Sequence, residues 1–186
     1  MIGNSIAGFL GTGVATATSS YESIATSTPS GVSTITFSSI PSTYKHLQIR
    51  MIARNANAAA SSTELNIRFN GDTASNYTIH ALSGNGSAAS AQGYTAQTSG
   101  WSGWVGYNGL AASIYGVGIT DIIDYASTSK NKTFRTIGGL DNNSTGGTIE
   151  LSSGVWLSTA AINSITIFSG SNFNFGTTFA LYGING

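Results

Sequence analysis

Leu47, Ile49, Met51 and Ala53 recur at every second position, with His46, Gln48, Arg50 and Arg54 between and beside them and Ile52 as the one exception. Two is the period of a β-strand, whose successive side chains point to opposite faces. A helix would need apolar residues at steps of three and four. The stretch therefore reads as a half-buried strand with a mostly polar outer face. Leu65, Ile67 and Phe69 repeat the pattern with Asn66 and Arg68 outward, and Asn70-Gly71-Asp72 ends the run with turn residues. Nowhere does the chain offer a long apolar face at helical spacing.

The same signals order the rest of the chain. Val32-Ser33-Thr34-Ile35-Thr36-Phe37 reads as a strand stopped by Ser38-Ser39-Ile40-Pro41. Residues 77–82 form another, closed by Ser83-Gly84-Asn85-Gly86, and residues 87–100 read as a Ser/Ala/Gln-rich connection. Residues 101–107 are aromatic and glycine-rich, and 114–125 read as a strand bent at Gly116 and Gly118. Further strands are expected at 133–137, 148–151, 155–157, 162–168 and 179–184. About ten short strands between Gly/Asn turns predict a sandwich or barrel. We expect an all-β fold, a jelly-roll-like antiparallel β-sandwich, with a plain Greek-key sandwich as the alternative.

Residues 21–186 are expected to form that sandwich as a single domain. Residues 1–20 are expected to be an N-terminal arm. Its opening, MIGNSIAGFLGTGVATA, loosely resembles a signal peptide but has no Lys or Arg before the apolar stretch, and its glycines make a poor helix. An extended arm held by its own body or by a neighbour is the reading, with Ile2, Ile6, Phe9 and Leu10 as contact residues.

Composition narrows the function. Only 8% of residues are charged and the formal net charge is zero, against about 25% charged in an average soluble domain. With 40% hydrophobic residues the chain is no disordered segment. Nucleic acid is not expected as a partner, because phosphate contacts need clustered Lys and Arg, and the seven here are scattered. No apolar run approaches the ~20 residues of a membrane helix, and no membrane partner is expected. There is no cysteine, so disulfides and thiolate chemistry are excluded. The polar surface must come from Ser, Thr, Asn and Gly. Such a surface associates readily and suits a protein covered by its neighbours; an ordinary extracellular Ser/Thr-rich β-domain is the plainer reading.

Catalytic motifs are weak. His46 falls on an outward strand position and His80 has no recognisable partner. Ser153 in Leu151-Ser152-Ser153-Gly154 does not form a nucleophile elbow. Asp121 and Asp124 lie three apart, which on a strand puts them on opposite sides, and nothing else supports a glycosidase pair. Asp72 and Asp141 sit in turns, where Asp belongs for backbone reasons. Asp141-Asn142-Asn143 could offer oxygens to calcium but has too few carboxylates. The glycine-rich runs lack the Gly-Lys-Ser/Thr ending of a phosphate loop. No enzyme, cofactor or metal is expected. Trp101-Ser102-Gly103-Trp104-Val105-Gly106-Tyr107 stands out. Trp101, Trp104 and Tyr107 suit a protein interface, a core, or a sugar platform, and the sequence leaves the three open.

Tyr21 to Thr26, Ile35 to Pro41 and Tyr44-Lys45-His46-Leu47-Gln48-Ile49-Arg50 together resemble a group of virion proteins of tailed bacteriophages. So do Leu65-Asn66-Ile67-Arg68-Phe69-Asn70-Gly71-Asp72 and the closing Ile162 to Ile167 and Phe179-Ala180-Leu181-Tyr182-Gly183-Ile184. The resemblance spans roughly residues 21–82 and 160–184 and leaves the middle unmatched; the terminal Asn185-Gly186 departs from it. It implies a β-sandwich particle protein, either a capsid decoration (cement) protein or a tail-associated subunit, forming a homotrimer. Its implied partners are copies of itself and the major capsid protein on the outer capsid surface of the virion, alternatively tail proteins or host-surface glycans.

Overall fold

The computed structural model describes residues 19–58, 63–143 and 146–186. Most of the expected arm, with Ile2, Ile6, Phe9 and Leu10, lies outside the described residues. Within them the chain forms twelve strands and no helix: β1 (Tyr21–Ser27), β2 (Thr34–Phe37), β3 (His46–Asn55), β4 (Thr63–Phe69), β5 (Tyr77–Gly84), β6 (Ala89–Gln97), β7 (Gly100–Tyr107), β8 (Gly116–Ile122), β9 (Lys132–Asp141), β10 (Gly147–Trp156), β11 (Ile165–Phe168) and β12 (Thr178–Ile184).

Eight of them pair antiparallel in the order β1-β12-β3-β8-β9-β10-β5-β6. The other four pair antiparallel as β2-β11-β4-β7. A short parallel pairing, Arg54 with Gly106 and Asn55 with Tyr107, ties β3 to β7. The result is the expected all-β sandwich, with a large sheet and a small one.

The strands read from alternation carry the core. Leu47, Ile49, Met51 and Ala53 face inward from β3, and Leu65, Ile67 and Phe69 from β4 are wholly buried. They meet Phe37, Ile165, Ile167, Phe173, Phe179 and Leu181 in one cluster. Phe69 meets Phe134 edge-on at 5.3 Å, and Phe173 meets Phe179 at 5.2 Å, the tilted geometry that aromatic pairs prefer. The turn after β4 is built as its residues require. Asn70 and Gly71 take positive φ (52° and 68°), and Asp72 accepts from Asn76 Nδ2 (2.9 Å) and Trp156 Nε1 (2.6 Å). These bonds, with the Asn76 amide foremost, hold its carboxyl below the usual range.

Three local readings are corrected. Residues 87–100 are not a connection: β6 pairs with β5 along its length. It was illegible because Ala, Ser and Gln show no hydrophobic period, and both its faces are exposed. Residues 148–151 and 155–157 are one strand, β10; Ser152, Ser153 and Gly154 continue it instead of breaking it. Arg54 is not on the polar outer face. It is buried, and its guanidinium donates to the carbonyls of Leu110, Ala111 and Ile114 at 2.8–2.9 Å. A buried cation needs such partners, and here they order the loop that leads from β7 into β8.

Candidate interaction surface

The middle of strands β8, β9 and β10 carries its polarity the wrong way round for an ordinary sandwich. There the inward side chains, facing β7, are Gly118, Thr120, Thr136, Gly138, Glu150 and Ser152, while Ile122, Phe134, Leu140 and Trp156 toward the strand ends are buried and apolar as usual. Ser102 on β7 bonds Thr120 (3.0 Å), Thr120 bonds Thr136 (2.8 Å), and Thr136 donates to the Trp101 carbonyl (3.3 Å). The hydroxyls thus satisfy one another across the two sheets, as buried polar groups must.

Glycine makes this close stacking possible. A Cβ at Gly116 would collide with the Trp104 carbonyl, and one at Gly118 or Gly103 with the Met51 methyl. Gly138 lies against Gly103 and Gly118. Gly103 also has φ of 111°, which glycine alone adopts readily. β7 therefore lies almost directly on the backbone of β8 and β9 at these glycines, leaving no room there for large inward side chains.

The aliphatic residues of these strands point out instead. The register aligns Ile119, Ile137, Leu151 and Leu82 in one row across β8, β9, β10 and β5. The neighbouring row is Ile52, Val117, Gly139, Ile149 and Gly84. The seven aliphatic side chains are between 37% (Ile119) and 63% (Ile149) exposed. Their combined exposed area is on the order of 600 Å², the top of the range for the largest apolar patch on an ordinary monomer. Glycines in the second row leave gaps beside the ridge, and a groove of about 1050 Å³ runs over Val117, Ile119, Ile137, Gly139 and Ile149.

A polar border closes the patch on one side. Arg135 Nε bonds Asp121 Oδ2 at 3.1 Å, and Gln48 Nε2 bonds Asp121 Oδ1 at 2.8 Å. Arg50 stands over the rings of Tyr21 and Tyr182 at 5.5 and 5.4 Å. Arg135 and Asp121 balance each other, whereas Arg50, the register partner of Ile119, brings a positive charge to the end of the first row, where its Nε donates to Gln48 Oε1 at 2.8 Å.

The singled-out aromatics separate. Trp104 is buried and donates from Nε1 to Glu150 Oε2 at 3.0 Å. Trp101 is half-buried and leans on Tyr94 of β6 at 5.4 Å, closing the end of the sandwich. Tyr107, also half-buried, sits at the far end of β7, where β3 pairs with it. The three do not share one exposed platform.

Sequence reading passed over Glu150 and Glu64. Burial pushes the carboxyls of both up, and the neighbouring Glu64 charge adds to the rise at Glu150. Raised carboxyls can mark acid–base sites, yet the Glu150 side chain is enclosed between the sheets, 3% exposed. Asp124 does the opposite. Bonds from Lys130 (2.7 Å) and Lys45 (3.2 Å) lower it to about 2, and its backbone N–H donates to His46 Nδ1 at 3.0 Å. Asp141 Oδ1 accepts from the Asn143 amide at 2.7 Å, an Asx turn. Among the described residues no three His, Asp or Glu side chains converge as metal ligands. Comparison with family models, with curated proteins and with solved structures gives no match.

Proposed function

We propose that this chain is a non-enzymatic structural subunit that works by assembling, and that its assembly is a bacteriophage particle, where it decorates and stabilises the capsid. The observation that carries the assembling part is the inverted polarity in the middle of β8, β9 and β10, with hydroxyls and glycines inside and Ile, Leu and Val outside. An apolar sheet face in water is a liability that a free monomer has every reason to lose. A subunit gains from it, because the face is desolvated on docking at no cost in unpaired charge. The low charge of the chain as a whole supports the same reading.

The bacteriophage part rests on the resemblance of residues 21–82 and 160–184 to virion proteins. A tail or fibre subunit that stacks glycans on Trp101, Trp104 and Tyr107 has less support, since Trp104 is buried between the sheets against Glu150.

The test is loading. Purified chain is added to particles that lack it, and bound copies are counted by quantitative mass spectrometry. Capsid decoration predicts hundreds of copies per particle and a higher temperature of capsid rupture. A few copies at the tail, or none, would contradict it.

A further inference from the structure

The proposed function says that the aliphatic face is covered. It does not say by what. Resting on that reading, we infer that the occupant is a second copy of this chain, packed through the outer face of β8, β9, β10 and β5.

The first argument is area. A stable protein interface takes about 800 Å² from each partner. The seven aliphatic residues supply most of that, and the β5–β6 hairpin beside them supplies more. β6 is exposed on both faces and contains no charged residue or proline. Edge strands that avoid pairing carry charges or proline. This one does neither, so its open edge continues the face.

The second argument is chemistry. A partner for this face must be apolar, uncharged and sheet-like. The same patch on another copy meets all three conditions. Two sheets pack face to face at about 10 Å with side chains interdigitated. Here the ridge of Ile119, Ile137, Leu151 and Leu82 offers the knobs, and the groove lined by Gly139 and Gly84 offers the space.

The third argument is charge. Arg135 and Asp121 neutralise each other at the border, Arg50 at the end of the first row lies over the Tyr21 and Tyr182 rings, and the whole chain has a formal net charge of zero. Two copies therefore approach without repulsion.

The experiment uses the full chain. Association is measured by light scattering and sedimentation for the wild type and for Leu151→Asp and Ile149→Asp. Val32→Asp, at an exposed site away from the patch, is the control, and circular dichroism checks folding of each. A photo-crosslinking residue placed at Ile137 reports what lies against the face, read by mass spectrometry. The inference expects a wild-type oligomer, at least tenfold weaker association in both patch variants, wild-type association in Val32→Asp, and crosslinks to residues 80–155 of another copy. A monomeric wild type, patch variants that associate normally, or crosslinks to residues 1–18 would overturn it. Particle loading separates this failure from that of the proposed function. If the wild type is monomeric but Leu151→Asp no longer loads onto particles, the face meets another partner and the assembling role stands. If loading is also unchanged, both readings fall.

Discussion

The two ends of the sandwich solve burial in opposite ways. At one end β3 and β12 face β4 and β11 across a thick layer of Phe, Ile and Leu, with Arg50 and Tyr182 outside. At the other, β7 lies on β8 and β9 across glycines and bonded hydroxyls, with Ile and Leu outside. The first end follows the rule for a free-standing domain. The second follows it only if its outer face is counted as interior. On the proposed reading, stability belongs chiefly to one end and association to the other.

The most severe way to break the comparison is at the thick end. Phe69→Ala removes a wholly buried ring that touches Phe134, Tyr77 and Trp156. It is expected to cost about 3–5 kcal/mol in denaturant unfolding. A cost under about 1 kcal/mol would mean that this core does not hold the fold.

The thin end is expected to fail by overfilling. A side chain at Gly116 meets the backbone of Trp104, which cannot swing away. Gly116→Val should cost about 1–3 kcal/mol or more by lifting β7. Gly84→Ala, where a Cβ meets Ile149 at an ordinary 3.7 Å, should cost no more than about 1 kcal/mol. Equal effects at the two positions would remove the close-stacking argument.

Glu150 sharpens the comparison through pH. Its carboxyl is raised in the fold by burial, so the folded state holds the proton more tightly than the unfolded chain. The fold is then most favoured below the unfolded value and loses that advantage as pH rises through the folded one. Glu150→Gln keeps an acceptor for Trp104 and removes the titration. Its melting temperature should equal that of the wild type near pH 4 and exceed it by a few degrees near pH 7.5. Asp124, lowered to about 2 by Lys130 and Lys45, has the opposite sign. Its contribution is present above the unfolded carboxylate range and disappears as pH falls toward 2, so Asp124→Asn should melt below the wild type near pH 7 and converge with it near pH 2 in thermal unfolding.

The smallest effect is expected on the outer face. Ile137→Thr should change the stability of the dissociated chain by no more than about 0.5 kcal/mol, as surface substitutions do. A larger loss would mean that Ile137 already packs within its own subunit.

Much of the thick end was legible because alternation and burial agree there. Leu47, Ile49 and Met51 on β3, and Leu65, Ile67 and Phe69 on β4, are apolar and inside. The thin end was legible as strands but not as a surface. Val117 and Ile119, and Ile149 and Leu151, alternate as cleanly, yet period two does not tell which face is in. That was decided by Gly116 and Gly118, which read locally as bends, and by Gly138; all three act as clearance for a strand distant in sequence. Trp104 was visible as an unusual residue, but its partner Glu150 lies 46 positions away. Arg54 misled because parity assigned it to solvent, while the loop carbonyls that hold it come from residues 110–114.

The central claim is that the outer face of β8, β9, β10 and β5 is interior in the assembled protein. Hydroxyl-radical footprinting of the assembled form against the dissociated chain tests it directly. Leu82, Ile137, Ile149 and Leu151 should react in the dissociated chain and be strongly protected on assembly, while Val32 and Leu157, equally exposed elsewhere, keep their reactivity. Equal labelling of the four patch residues in both states would contradict it.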